Sequence, residues 1–311
     1  MKRLMAKLVR SAPLWLLCSA LFTGCGESGP ALGVPADTPD SGTIHISVDE
    51  SFKPVIDSEI AVYESLHPGT HIIAHYKPEA DCLRDLLTDS TRCIIATRTY
   101  SAAERNIVND SLKTDLRYNV VAYDAIAVIT HPQSPDSLFS TEELRALLSG
   151  RSASKLRPVF DGLKATSTVR FIVDSLLQGG KLGSNVTAAE GSEAVIDYVA
   201  ANKDAIGFIG VSWVGNRQDS SQLSYLSRVR VASLQDARNP DKYVTPAQYN
   251  IYFKRYPLRR DLVCILKERH IGLGHGFYNY LTTQSGQLIF NRAFLMPALM
   301  NFQIRDARVS D

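Results

Sequence analysis

The residue types that do chemistry are present, but not in the spacings that most chemistries need. No G-x-S-x-G elbow surrounds a serine, and no catalytic triad assembles from the sequence. His71 and His75 stand four apart on a predicted strand, about 13 Å by strand rise, too far to share a metal there. No D-x-[DN]-x-[DN]-G run offers a calcium loop. Gly272-Leu273-Gly274-His275-Gly276 lacks the spacing of a dinucleotide loop. Cys82, Cys93 and Cys264 follow Cys25 without any C-x-x-C, so neither a zinc ribbon nor a thioredoxin-type site is expected. Cys82 and Cys93 flank a predicted helix and the next strand; a bridge and buried free thiols both fit. No enzyme activity, metal or cofactor is expected. What remains is hydroxyl chemistry at helix starts, chiefly Ser51 and Thr166-Ser167-Thr168, which at the least can cap helices.

Charge placement narrows the partners. The chain has 311 residues, 34 basic and 32 acidic, but Lys2, Arg3, Lys7 and Arg10 all precede the first acid, Glu27. Without those four, 30 basic residues face 32 acidic ones. The basic surplus that phosphate-backbone binding requires is gone, so nucleic acid is not a partner. The basic start runs into apolar residues from Ala12 to Phe22, shorter than the roughly 20 needed to span a bilayer, and reads as a secretory leader. Leu21-Phe22-Thr23-Gly24-Cys25 resembles a bacterial lipobox, with Phe22 where leucine is usual. Residues 1–24 are therefore expected to be a signal peptide and Cys25 a lipidated anchor. Residues 25–42 form a polar Gly/Ser/Pro tether. The localisation that follows is the bacterial envelope, anchored to a membrane and facing the periplasm.

Strand and helix patterns alternate behind the tether. Thr43 to Asp49 and Thr70 to Tyr76 read as strands, with a helix from Ser51 to Leu66 between them. A helix over Glu79 to Thr88, a strand over Arg92 to Thr97 and a capping box at Ser101 and Glu104 continue the series. A long apolar strand spans Tyr118 to Thr130 with Asp124 in its middle, and Ser140 and Glu143 make a second capping box. Further on come a strand at Pro158 to Phe160, helices over Ser167 to Leu177 and Gly191 to Ala201, and an apolar strand over Ala205 to Val211. The stretch from Gly215 to Pro246 reads as irregular, with a strand pair near Leu226 to Leu234. Tyr249 to Phe253, Asp261 to Lys267 and Asn301 to Arg305 are expected strands, and Phe277 to Leu281 and Gly286 to Ala293 helices. The alternation predicts an α/β fold with mainly parallel sheets flanked by helices.

Several stretches carry a family likeness. Tyr123-Asp124-Ala125-Ile126-Ala127-Val128-Ile129 followed by Pro132, Leu144 to Gly150, and Gly191-Ser192 with Ala205-Ile206-Gly207-Phe208 are three. Tyr256-Pro257-Leu258 with Arg260, and Gly276-Phe277 with Ser285-Gly286-Gln287, complete the series in order. The chain resembles the periplasmic phosphate-binding (PstS-type) branch of the type II periplasmic binding proteins. That likeness implies a two-lobed Venus flytrap, each lobe a mainly parallel sheet flanked by helices. Lobe 1 would comprise 43–122 and 248–311, and lobe 2 would comprise 123–247, closing about crossings near Tyr123-Asp124 and Tyr249 to Phe253.

The likeness also implies that phosphate or a similar small anion is captured and delivered to the membrane permease complex of an ABC-type importer. Ser51, Phe52, Arg98, Thr166, Ser167 and Thr168 fall on the matching anion loops. The physics suits them, because helix N-termini offer free N–H groups and a positive dipole end. The loops depart from the family pattern in their acids: Asp49, Glu50, Glu79, Asp81 and Asp161. Such a set also suits a cationic ligand, or a scaffold that kept the fold, lost anion binding and acts through contacts with other envelope proteins.

Overall fold

The computed structural model describes residues 37–88, 90–164 and 166–299. The leader, Cys25 and the expected last strand lie outside them. Strand β1 (Ser41–Asp49) buries Ile44, Ile46 and Val48 and leads through a 3-10 turn, Glu50–Phe52, into α1 (Lys53–Leu66). The cap is Asp49 rather than Ser51: its Oδ1 accepts from Ser51 N at 3.0 Å, because the tight turn comes before the α-helix. Next in order are β2 (Gly69–Lys77), α2 (Glu79–Asp85), β3 (Thr91–Ala96) and α3 (Ala102–Leu112), the last with the expected Ser101–Glu104 box. The long strand is β4 (Arg117–Thr130), followed by β5 (Leu138–Phe139) and α4 (Thr141–Leu148). Then come β6 (Arg157–Phe160), α5 (Ser167–Phe171) extended by a π-helical turn to Leu176, β7 (Thr187–Ala188), α6 (Gly191–Ala201) and β8 (Ala205–Gly210).

Two expectations fail in the next stretch. The irregular region contains a helix, α7 (Ser220–Arg228), capped by Asp219 through Gln222 N. It is followed by β9 (Arg230–Val231), β10 (Ser233–Gln235) and β11 (Tyr243–Val244). Tyr249 to Phe253 is not a strand but helix α8 (Gln248–Tyr252), closed by Ile251 N donating to Ala247 O at 3.0 Å. Its aromatic run favours a strand by local propensity, but Tyr249 and Tyr252 both pack on Phe253, ring centroids 4.7 and 4.9 Å apart, which outweighs it. The second crossing is therefore β12 (Arg259–Leu266) and the Tyr256-Pro257-Leu258 segment before it. The chain continues through α9 (Leu273–Tyr280), α10 (Gln284–Arg292) and β13 (Met296–Pro297).

The main sheet has ten strands, in the order β2-β1-β3-β12-β4-β8-β6-β7, with β13 and β9 paired to β4. Two parallel trios, β2-β1-β3 and β8-β6-β7, are joined by antiparallel β12 and β4. β4 belongs to both halves. Val121 and Ala122 enter one core with Ile46, Phe52, Ile56 and Phe277, while Ile126 and Val128 enter another with Leu144, Phe160 and Phe208. The loops at the strand ends of both halves meet where β4 passes between them. Cys82, Cys93 and Cys264 are buried free thiols.

Candidate binding site where the strand ends meet

A buried ion pair stands at the centre. Arg260 on β12 lies directly opposite Asp124 on β4, and its Nε donates to Asp124 Oδ2 at 2.7 Å with both side chains sealed from solvent. The guanidinium continues outward: Nη1 donates to Ser167 Oγ at 2.8 Å and Thr168 Oγ1 at 3.4 Å, and the Phe52 ring lies 5.1 Å from its carbon. Nη2 is buried without a hydrogen-bond partner among the described residues. Gly210 makes room for it, since a Cβ there would stand 3.2 Å from Nη2 and 3.0 Å from Ser51 O.

The expected hydroxyls surround this guanidinium. Ser51, Ser167 and Thr168 are fully buried, and Thr168 Oγ1 donates to Asp161 Oδ2 at 3.1 Å. Ser51 Oγ reaches Asp161 Oδ2 and Ser167 Oγ only at 3.5 Å. Thr166 caps α5 through Val169 N. Arg98 is turned away: its Nη1 donates to Glu104 Oε2 at 3.0 Å, on the capping box of α3. The cations at the site are instead Arg260 and Arg170, whose Nε donates to Glu79 Oε2 at 2.6 Å. Glu79 also accepts from Thr97 N and Oγ1, at 2.8 and 2.6 Å, tying the loop after β3 to α5.

Acids outnumber cations around the centre. Burial pushes the Asp49 carboxyl up to about 7, with Glu79 adding repulsion and Arg260 opposing it. Desolvation likewise raises Asp124, Asp161 and Glu50 above their ordinary values. Glu79 goes the other way: the Arg170 hydrogen bond and charge overcome its own burial and hold it below the usual carboxylate range. Burial thus biases these acids toward the protonated form, in which a carboxyl can donate as well as accept. Glu50 does not face the helix it precedes. It accepts from Ser192 N at 2.9 Å and Ser192 Oγ at 3.0 Å, at the start of α6.

Sequence reasoning singled out neither Arg260 nor Ser192 as a site residue, whereas Arg170, with Lys164, was an expected source of charge beside Thr166–Thr168. Arg260 stands among charged neighbours, Arg259 and Asp261, at the start of β12, so only its place in the Tyr256-Pro257-Leu258-x-Arg260 stretch marked it, and its partner stands 136 residues away. Asp37, Glu268 and His270 form the one group with metal-ligand composition among the described residues. It already has partners: Arg92 lies 3.1 Å from Asp37, and Leu273, Gly274 and His275 donate their backbone N–H groups to Asp37 and Glu268. That group caps α9. A cavity of about 660 Å³ lined by Val214, Leu226, Val229, Val231, Arg230 and Phe294 contains none of the expected site residues.

The sequence profile described as the PBP superfamily domain matches residues 33–285. No curated protein matches the chain. Among solved structures, a Clostridium perfringens protein assigned as a phosphate ABC transporter substrate-binding protein, with phosphate bound, superposes with a TM-score of 0.69 at 20% identity, covering 83% of this chain and 100% of that one. An ABC-type phosphate transport receptor from Vibrio cholerae gives 0.61 at 16% identity, over 81% and 99% of the two chains. PstS from Borrelia burgdorferi gives 0.51 at 16% identity, over 83% and 99%. These likenesses establish a two-lobed type II fold.

Proposed function

Given that the chain belongs to the PBP superfamily, we propose that it is an envelope solute-binding protein that captures an oxyanion, phosphate foremost, between its lobes and delivers it to an ABC-type importer. One observation carries this reading: a buried guanidinium with an unused donor, Arg260 Nη2, is ringed by Ser51, Ser167, Thr168 and the Phe52 face. A tetrahedral oxyanion suits such a set, because a fixed fork and several hydroxyls can each take one oxygen. The raised acids support it further, since a protonated carboxyl donates to an anion that an ionised one would repel. In this reading Phe52, Ser51, Thr166, Ser167 and Thr168 line the ligand, with Arg260 as the cation. Arg98 joins only if it leaves Glu104.

The lobes divide as 43–122 with 248–311, and 123–247; separate apolar cores either side of β4 support two lobes, with Ile251, Tyr256, Leu258 and Met296 from the C-terminal segment packing in the core of the second. Cys25 carries the lipid, and the permease complex is the receiving partner. A second reading has its own support. Four acids, Asp49, Glu50, Asp124 and Asp161, crowd the Arg260 guanidinium while Arg170 is taken by Glu79, which favours a scaffold that binds envelope proteins and no anion. Calorimetric titration with phosphate separates the two. Saturable heat lost in Arg260→Ala supports the receptor, and no heat with phosphate, sulfate or molybdate supports the scaffold.

A further inference from the structure

The N-terminus of α6 already holds an anion, and it is the chain's own. Helix α6 runs for 11 residues and receives no side-chain cap from Glu190 before it. Glu50, 142 residues earlier on the turn after β1, supplies both bonds instead, to Ser192 N and Ser192 Oγ. Gly191 permits the approach: its φ is +85°, and a Cβ there would stand 3.0 Å from Glu50 Oε1. Arg260, 3% exposed, offers the unused Nη2 donor and bears electrostatically on the same carboxylate, as does Asp161. A helix end that takes an anion and a buried guanidinium with one spare donor, Nη2, thus act on the same carboxyl, the first by hydrogen bonds and the second by charge.

We infer that Glu50 is a built-in occupant of the oxyanion subsite at α6: it bridges the two halves when no ligand is bound, and a ligand enters by displacing it. The inference rests on reading the cleft as an oxyanion site. Displacement takes the Glu50 carboxyl away from the helix end that the ligand then occupies, which is how an acid-rich cleft can still admit phosphate. A planar carboxylate presents two oxygens, whereas a tetrahedral anion presents enough to engage Ser192 and Arg260 Nη2 together.

The test compares the full chain with Glu50→Ala and Glu50→Gln, using inorganic phosphate as probe and small-angle scattering without ligand. Glu50→Ala is expected to bind phosphate at least about tenfold tighter. Its ligand-free radius of gyration should exceed that of the parent and contract on adding phosphate. Glu50→Gln, whose carbonyl still accepts from Ser192 N, should fall between the two and covers the case in which the alanine variant does not fold. If the parent binds phosphate and neither variant binds more tightly or expands, the inference is overturned while the receptor reading stands. If no variant binds phosphate yet Glu50→Ala expands, the receptor reading fails and the bridge remains.

Discussion

Arg260 and Asp124 are the pair on which the site turns, and their energetics are asymmetric. Two buried charges cost several kcal/mol each to desolvate, and only their mutual contact and hydrogen bonds offset this. Removing one leaves the other uncompensated. Arg260→Met should lower the unfolding free energy by about 3–5 kcal/mol, measured by urea denaturation. Arg260→Met combined with Asp124→Leu should recover most of the loss, since an apolar pair has no charge to strand. A double variant no more stable than the single one would contradict the pairing. Asp124 was legible in the sequence as an acid inside an apolar strand. Its partner was not, because only the β4–β12 register brings the two opposite each other.

At the scale of elements, α1 contains a residue that works against it. Glu59 is fully buried on the core face of α1, and desolvation holds its carboxyl well above the usual range with only Tyr280 opposing. Glu59→Leu should therefore stabilise the fold by about 1–3 kcal/mol, more at pH 8 than at pH 5, with Tyr280 unchanged. A loss of stability in that variant would mean that the acid has a partner the packing does not show.

The elements most legible in the sequence were those with both a period and a cap, such as α3 and α4, where Ser101–Glu104 and Ser140–Glu143 close as expected. Helix α8 was illegible because aromatic residues favour a strand locally while packing and turn bonds made a short helix. The site loops were legible as hydroxyl-rich helix starts. That Glu50 serves α6 rather than its own turn was not, since nothing near Glu50 in sequence encodes Ser192.

Across the whole molecule the cluster of raised acids makes stability depend on pH. An acid whose folded value is raised binds its proton more tightly in the fold than in the open chain. Stability is therefore greatest below the unfolded value, 3.8 for Asp49, and declines as pH climbs toward about 7. Asp161, Asp124 and Glu50 push in the same direction, and the lowered Glu79 opposes them. The melting temperature should fall by several degrees between pH 5 and pH 8, and Asp49→Asn should flatten that slope. A slope of the opposite sign would show that the carboxylates are ionised and well paired in the fold.

The raised Asp49 and Asp161 bear on ligand capture as well, because a protonated carboxyl beside Arg260 can donate to phosphate. Calorimetric titration of the purified protein with phosphate at pH 7 tests this most directly. Saturable one-site binding that Arg260→Ala abolishes is the expected result. No heat with phosphate, sulfate or molybdate, in a protein that melts cooperatively, would contradict it.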